Sequence, residues 1–505
     1  MTPSGTSARA AEQLEPVLHD VRRQSPVTAE TVRRRAADPA APVLVDFDHT
    51  LFASNSTEMF IAHCRPSLVV ALIDLLVRVL VPWRLVPRGR GHRVGDWLCV
   101  ALIVVLTPWN VHRWRRDAPA LFERHRARAV CALFAGVDPA RLTIISFGMT
   151  FVIRALLARS EFAAAALVAT PALPRPSWFA GGKTATATAA VGADGVARSV
   201  FVSDSLHDED LLLAAGTGLL VTPQGAALSA RERLYVPLRY TARVKYSRLY
   251  TLDQFLLVDA AVVVLAITYD VPSLLRFALV VPLLLLSLMA VYEIGYHEND
   301  VHAANFEERP VLDPQVSRYL DYPIRTQAWV WALGAAAAAL GLAVALGELA
   351  TGELLRAGLS WVGLLVVLRA VFFAYNRVRV HARVFLYPVL QVLKYGAVFL
   401  VFVPTTVGVV LVLSQVMAMW AVYVVYRLGG RKEDLDRDLF GSVAFLVAAG
   451  LLLMADLVHG GLSHAGAGHA SVAETSFALA LLWALARTGK GPLMRRLRAR
   501  RALAV

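Results

Sequence analysis

The stretch Val43-Leu44-Val45-Asp46-Phe47-Asp48-His49-Thr50-Leu51 decides the fold of the first half of the chain. It begins as a short apolar run, which is typical of a buried strand, and ends in two acids separated by one residue. Alternate side chains on a strand share a face, so the carboxylates of Asp46 and Asp48 can point into one site at the end of the strand. In a phosphoryl transfer through an aspartyl-phosphate, one such carboxylate attacks phosphorus and the other carries a proton to the leaving oxygen.

Partners for these two acids follow along the chain. They are Leu142-Thr143-Ile144-Ile145-Ser146, Lys183 after Gly181-Gly182, and Val200-Phe201-Val202-Ser203-Asp204-Ser205-Leu206-His207-Asp208. The hydroxyl of Ser146 can hydrogen-bond a phosphoryl oxygen, and Lys183 can supply a cation. Asp204 and Asp208, together with Asp46, would hold Mg²⁺ through the oxygen ligands that this ion prefers.

Because of these motifs, about residues 40–225 resemble the haloacid dehalogenase superfamily, in its phosphoserine-phosphatase-like branch. The matching residues are Asp46, Asp48, Ser146, Lys183, Asp204 and Asp208. The resemblance implies an α/β Rossmann-like domain with a doubly wound parallel sheet and a helical cap at about 53–140. It also implies Mg²⁺ held by Asp46, Asp204, Asp208 and the main chain of Asp48. One departure is Phe147, where related phosphatases commonly have glycine. The alternative is a folded but inactive domain.

The second half of the chain has the composition of a membrane domain. Of all 505 residues, 57% are hydrophobic and 18% are charged, whereas soluble domains are about 45–50% apolar and about 25% charged. Eight apolar segments follow one another, each near the ~20 residues that cross a bilayer as a helix. They are 254–271, 274–293, 327–349, 353–373, 384–402, 404–427, 440–459 and 472–488. The sequence therefore predicts an all-α, multi-pass transmembrane bundle after the α/β domain.

The distribution of basic residues predicts how this bundle is oriented. The loops 294–326, 374–383 and 428–439 and the tail after residue 488 carry Arg and Lys, whereas the loops between them are poor in both. By the positive-inside rule, we expect a cell-membrane protein whose N-terminal domain and C-terminal tail are cytosolic. The first 40 residues contain no apolar core, so no secretory signal is predicted. The net charge of +13 is then explained by topology and anionic lipid rather than by nucleic acid.

Two shorter apolar stretches, 67–83 and 98–109, lie within the predicted cap. The first is interrupted by Asp74 and Arg78, and tryptophans and arginines cluster at the ends of both. Their short length, aromatic ends and basic fringe suggest segments that lie in the membrane interface. A buried helical hairpin inside a soluble cap is an equally good interpretation.

Two groups of acidic residues lie at the predicted cytosolic ends of the second and sixth helices. Their candidate substrate- and Mg²⁺-binding residues are Asn299, Asp300, Glu307, Asp434 and Asp438. Facing acidic clusters can bridge Mg²⁺ to a diphosphate. The pattern resembles the UbiA superfamily of intramembrane prenyltransferases, although the middle aspartate of the first family motif would fall at Ala303 and that family usually has nine helices. In such a fold, Lys394 could neutralise a polyprenyl phosphate. Two ordinary charged loops beside the membrane are the alternative.

Four regions follow from these patterns. They are an N-terminal extension (1–40), a hydrolase domain (41–235) with its cap, a UbiA-like transmembrane domain (245–488) and a basic tail (489–505). The favoured function is a Mg²⁺-dependent phosphatase combined with a polyprenyl (phosphate) transferase that acts on isoprenoid or other lipid phosphates. A membrane-anchored phosphatase and a transporter or lipid-binding protein with a regulatory phosphatase-like domain are the alternatives.

Overall fold

The computed structural model describes residues 18–80, 90–175, 178–179, 181–222, 228–246, 250–302, 305, 312–459 and 476–488. The chain divides after Leu234 into two compact units. The predicted basic tail (489–505) and Glu307 lie outside the described residues, as does the start of the predicted N-terminal extension.

The first unit is built on a seven-stranded mixed sheet. Its strands are β1 (Leu18–Asp20), β2 (Ser25–Val27), β3 (Val43–Asp46), β4 (Leu142–Met149), β5 (Ala166–Thr170), β6 (Val200–Ser203) and β7 (Thr217–Val221). Their order across the sheet is β2-β1-β7-β6-β3-β4-β5. Strands β3 to β7 run parallel, whereas β1 is antiparallel to both β2 and β7.

Strand β3 lies at the centre of the parallel part of this sheet. Its partners are β4 on one side and β6 on the other, and every residue of β3 and β6 is buried. This burial explains why both strands are nearly continuous apolar runs. The chain proceeds from β3 to β4 and β5 on one side of the sheet and then from β6 to β7 on the other. This reversal of strand order places a crevice at the carboxyl ends of β3 and β6.

The short edge strands β1 and β2 differ from the expectation of a purely parallel sheet. They lie in the region 1–40, which the sequence predicts to be an extension, and instead extend the sheet beyond β7. Each of these strands has only three residues, which is too short for an alternating apolar pattern that would predict a strand.

The helices of the first unit connect these strands. They are α1 (Ala29–Ala37), α2 (Ser56–His63), α3 (Ser67–Leu80), α4 (Arg90–Leu106), α5 (Trp109–His125), α6 (Arg128–Cys131), α7 (Thr150–Leu157), α8 (Lys183–Val191), α9 (Ala193–Arg198) and α10 (Glu209–Ala214). Helices α2 to α6 all lie between β3 and β4, within the predicted cap.

The two apolar stretches of this insertion form helices α3 and α4, which pack against each other. Asp74, which interrupts the first stretch, is 1% exposed and pairs with Arg78 and Arg231. Arg231 also reaches Asp96 in α4 at 2.5 Å, so one guanidinium joins both helices. The two helices therefore form a hairpin joined to the first unit through buried Asp74 and Arg231, although Arg78 and three leucines of α3 are exposed.

The second unit is helical. Its helices are α11 (Ala261–Ile267), α12 (Val271–His302), α13 (Ile324–Ala345), α14 (Leu354–Arg377), α15 (Arg383–Gly396), α16 (Thr406–Arg427), α17 (Arg437–His459) and α18 (Ser476–Thr488). Six helical segments are long and apolar enough to cross a membrane, those that contain α12 to α17. The sequence predicts eight spans, and six are found among the described residues. The first and last predicted spans do not qualify. The first is built mostly of a π-helical segment, Thr251–Ala260, followed by the short helix α11, and the last, α18, is itself short. The six long apolar helices fit a multi-pass membrane protein.

A buried glutamate attaches the start of this unit to α12. Glu293 is 0% exposed, and its carboxylate accepts hydrogen bonds from Tyr235 Oη (2.9 Å) and Leu238 N (3.0 Å). Thr241 donates two more, from its main-chain N–H (2.8 Å) and its hydroxyl (2.7 Å). A carboxylate with this many donors is satisfied without a cation, which explains how Glu293 can lie inside an apolar helix.

Candidate active site

A lysine at the centre of the sheet's carboxyl edge binds two aspartates. Lys183 Nζ lies 2.7 Å from Asp46 Oδ1 and 2.7 Å from Asp208 Oδ2. Asp46 is the last residue of β3, Asp208 follows β6, and Lys183 is the first residue of α8. Ser203 Oγ donates to Asp208 Oδ2 at 2.6 Å and lies 3.4 Å from Asp46 Oδ2. Adjacent parallel strands thus bring together residues that lie far apart in sequence.

The second aspartate of the first motif is held by two donors. Asp48 Oδ1 accepts from the main-chain N–H of Ser56 at 2.5 Å, and Asp48 Oδ2 accepts from Ser146 Oγ at 3.1 Å. Gly148 N donates in turn to Ser146 Oγ at 2.9 Å. A Cβ at Gly148 would lie 2.7 Å from Ser56 Oγ, so the close approach requires glycine here. The glycine of this segment thus stands directly after Phe147, two positions after Ser146.

The remaining predicted ligand, Asp204, is turned toward the loop after β3. Its Oδ1 accepts from Thr50 Oγ1 at 3.1 Å, and its main-chain N–H donates to the same hydroxyl at 3.0 Å. The structure therefore gathers the predicted residues of the first unit around the ends of β3, β4 and β6. These residues are Asp46, Asp48, Ser146, Lys183, Asp204 and Asp208.

Burial shifts the ionisation of this cluster. Asp46 is 4% exposed, and its desolvation raises its pKa to about 7, with a further increase from Asp208 and an opposing effect of Lys183. Desolvation likewise raises the pKa of Asp204. Burial alone would lower the pKa of Lys183, but the charges of Asp46 and Asp208 raise it. A buried carboxylate with a strongly raised pKa in a crevice is typical of a functional site.

The donor set of the cluster suits a divalent cation. Lys183 contacts Asp46 and Asp208, and the carboxylates of Asp48 and Asp204 lie at the same edge of the sheet, so carboxylates outnumber this cation. Carboxylate oxygens are the ligands that Mg²⁺ prefers. Asp46, Asp204 and Asp208 would hold the ion. In the described part of the chain, the side chains of Asp, Glu, His and Cys form no group of three that is already arranged around one point. Lys183 instead occupies the position between Asp46 and Asp208.

A cavity of about 180 Å³ opens beside Asp48. Its walls include Asn55, Thr57, Arg93, Asp96, Trp97 and Phe147. The mixture of aromatic rings, hydroxyl, amide and charged groups suits a polar organic group attached to a phosphate. The cavity adjoins the aspartate that would protonate a leaving group.

Helix α4 contacts the main chain on both sides of this cavity, which the sequence does not indicate. Arg93 donates to the carbonyl oxygens of Phe179 (2.8 Å) and Gly181 (3.1 Å), and its guanidinium lies 4.1 Å from the ring centroid of Phe147. Trp97, one helical turn further, donates from Nε1 to the carbonyl oxygen of Ala172 at 3.0 Å. The cap therefore holds the segment that leads to Lys183. The only signal in the sequence is that Arg93 and Trp97 are four residues apart, which places them on one face of α4.

Two predicted residues of the second unit, Asp300 and Asn299, contact basic side chains of the same unit. Asp300 accepts from Tyr240 Oη at 2.6 Å and forms an ion pair with Lys245. Asn299 Oδ1 accepts from Arg383 at 3.3 Å. These partners lie far away in sequence, so the acidic pattern alone does not show them.

The second acidic group and Lys394 are also paired. Asp438 lies 2.7 Å from Arg487, and exposed Asp434 accepts from the main chain of Arg431 at 2.8 Å. Lys394 Nζ lies 2.5 Å from Asp259, which also accepts from Tyr395 Oη at 2.7 Å. Asp300 and Asp438 thus have separate basic partners, Lys245 and Arg487.

Comparison of the whole chain with protein-family models, with curated proteins and with solved structures finds no match. The functional interpretation therefore depends on the geometry described above.

Proposed function

We propose that the first unit is a Mg²⁺-dependent phosphohydrolase of the haloacid dehalogenase type that works through an aspartyl-phosphate on Asp46. The observation that carries this proposal is the position of Lys183, 2.7 Å from both Asp46 and Asp208. Lys183 opens helix α8, whose N-terminus attracts anions, and the buried hydroxyl oxygen of the next residue, Thr184, has no hydrogen-bond partner. Cation, helix terminus and hydroxyl together suit a phosphoryl group.

The reaction divides into two steps on this chain's own residues. The carboxylate of Asp46 attacks phosphorus, the bond from phosphorus to the leaving oxygen breaks, and Asp48 gives its proton to that oxygen. Water then attacks the aspartyl-phosphate while Asp48 takes back a proton, which releases inorganic phosphate and restores the carboxylate. Ser146 and Lys183 hold the phosphoryl oxygens. Mg²⁺, when bound, supplies positive charge that offsets the charge of the phosphoryl group.

The substrate class that fits best is an isoprenoid or other lipid phosphate. Six candidate membrane spans follow the phosphohydrolase unit on the same chain, so its substrates are selected near a bilayer. The basic loops between the apolar segments favour a cytosolic position for this unit, at the inner face of the cell membrane in which we propose the protein lies.

Labelling of the intermediate tests this function. We expect Asp48→Asn to accumulate ³²P on Asp46 from ³²P-labelled acetyl phosphate in the presence of Mg²⁺, because the acetate leaving group needs no proton from Asp48 and the variant lacks the base that activates water. Asp46→Asn should take up no label, and Asp194→Asn, at an exposed position in α9, should behave as wild type. Equal labelling of the Asp46→Asn and Asp48→Asn variants would refute the assignment.

A second candidate function, prenyl transfer in the second unit, is supported by one buried polar chain. Lys394 pairs with Asp259, which accepts from Gln254, and Gln254 accepts from Arg437 beside Asp438. Ionisable groups inside a membrane unit are costly and usually serve a substrate. If this unit transfers a polyprenyl group, Asp438→Asn should abolish transfer and leave the phosphatase activity intact. If it serves only as an anchor, the variant should change neither activity.

A further inference from the structure

The connection between α4 and α5 exposes three large apolar side chains at one sharp bend. Val105, Leu106 and Trp109 are 75%, 56% and 55% exposed. The two helices meet at an angle of 113°. We define Val105, Leu106 and Trp109 as the apolar tip. Isolated exposed apolar residues are ordinary, but a projecting group of three suggests a contact surface.

The backbone of the apolar tip is held rigidly by buried polar contacts. Asn110 is 1% exposed; it accepts from Arg65 N and donates to Arg65 O, both at 2.8 Å. Trp109 Nε1 donates to the same carbonyl oxygen at 3.0 Å, so its indole N–H is satisfied while much of its ring stays exposed. A preorganised apolar tip loses little conformational entropy when it is covered.

The arms of the bend are anchored in the first unit. Trp114 is fully buried and donates to Val152 O at 3.1 Å, and Phe122 stacks with Phe47 and Phe52. A helix fixed in this way cannot leave the α/β unit to span a bilayer. The two arms are therefore not a broken transmembrane span, and only their junction is available for contact.

The surroundings of the apolar tip match a lipid surface. His112, Arg115 and Arg116 are exposed on α5, immediately after Trp109. This combination of apolar side chains, a tryptophan and neighbouring basic residues is typical of a segment that binds the interface of an anionic membrane leaflet. The same chain carries six candidate spans, so a bilayer is always near this unit.

We propose that the apolar tip inserts into the bilayer and that the rest of the cap remains outside it. Val105 and Leu106 of the apolar tip end helix α4, and Arg93 beside the cavity is on the same helix. At about 1.5 Å per residue, the helix from Arg93 to Leu106 is about 20 Å long. Insertion therefore keeps the cavity within about 20 Å of the membrane surface. The insertion itself is independent of the proposed phosphatase reaction.

Spin-label accessibility in the full-length protein tests this insertion. The three native cysteines are all buried, so a single introduced cysteine can be labelled selectively. Leu106→Cys is compared with Leu213→Cys, an exposed position on α10, in nanodiscs of phosphatidylcholine and phosphatidylglycerol. We expect the label at position 106 to be several-fold more accessible to oxygen than to a water-soluble nickel chelate, with the reverse at position 213.

Two outcomes would overturn the proposal. Nickel accessibility at position 106 equal to that at position 213 would show that the apolar tip stays in water. Low accessibility to both reagents would show that protein covers it. Arg115→Gln with Arg116→Gln should reduce the oxygen preference at position 106 when phosphatidylglycerol is present and have less effect in pure phosphatidylcholine. Phosphatase activity is measured in parallel, so failure of the proposed reaction and failure of insertion are distinguishable.

Discussion

Replacing Asp46 with asparagine should remove the phosphohydrolase activity and also stabilise the first unit near neutral pH. The reason is that the carboxylate is buried at the end of β3, where desolvation raises its pKa from 3.8 to about 7. Ionised Asp46 therefore costs folding free energy, and the neutral amide does not. Functional carboxylates often reduce stability in this way.

The size of the effect follows from the pKa change. A shift of about three units corresponds to about 4 kcal/mol between the two protonation states, which is the upper limit of the gain. We expect about 1–3 kcal/mol, because the neutral amide oxygen of asparagine accepts a weaker hydrogen bond from Lys183 than the carboxylate does.

Because folding raises the pKa of Asp46, the stability gained by Asp46→Asn depends on pH. Between the unfolded pKa of 3.8 and the folded pKa of about 7, folded Asp46 keeps a proton that the unfolded chain has released. The stability of the wild type therefore falls as pH rises through this window. Asp46→Asn lacks this slope, so its advantage should be absent near pH 4 and complete above pH 7.

Amide hydrogen exchange of the full-length protein measures this advantage. At about pH 7.5 and without Mg²⁺, peptides covering β3 and β6 should exchange about 5- to 150-fold more slowly in Asp46→Asn than in the wild type. Mg²⁺ should slow exchange in the wild type and have little effect in the variant. Faster exchange in the variant, or a difference that is the same at about pH 5, would refute the reasoning.

Three further substitutions test the remaining contacts. Lys183→Met should be inactive and about 3–5 kcal/mol less stable, seen as a lower melting temperature, because it leaves two buried carboxylates without their cation. Arg93→Ala should lower kcat/KM at least about tenfold in steady-state assays, and Arg93→Lys should not restore it, because an ammonium group lacks the planar fork that reaches two carbonyl oxygens. Arg231→Leu should destabilise the first unit by about 3–5 kcal/mol in thermal unfolding, and adding Asp74→Leu should recover part of the loss.

The sequence predicts the centre of the first unit well because its strands are apolar runs that end in chemically distinctive residues. The parallel pairing of β3 with β4 and β6 follows from those runs, and the gathering of Asp46 with Ser203 and Asp208 follows from the pairing. The three-residue edge strands have no such pattern, since their pairing depends on β7, which lies almost two hundred residues away.

Long-range ion pairs are what the sequence could not predict. Asp74 and Arg78, four residues apart in an apolar stretch, indicate a buried pair, but the main partner Arg231 is 157 residues from Asp74. The acidic residues of the second unit likewise look unpaired in sequence, whereas Lys245 and Arg487 contact them in the structure. The spacing of residues along a helix shows which of them share a face. Only the packing of the helices determines which basic side chain contacts an acidic residue on that face.

The two units differ in how many of their acidic candidate residues already have a basic partner. Lys183 contacts two buried carboxylates, those of Asp46 and Asp208, and Asp48 and Asp204 add negative charge at the same edge of the sheet, which a divalent ion would offset. In the second unit, Asp300 and Asp438 already have basic partners. A Mg²⁺–diphosphate there would first have to displace Lys245 from Asp300, and breaking a buried ion pair is costly unless the ligand replaces both interactions. The geometry therefore supports phosphoryl chemistry in the first unit more strongly than transfer in the second.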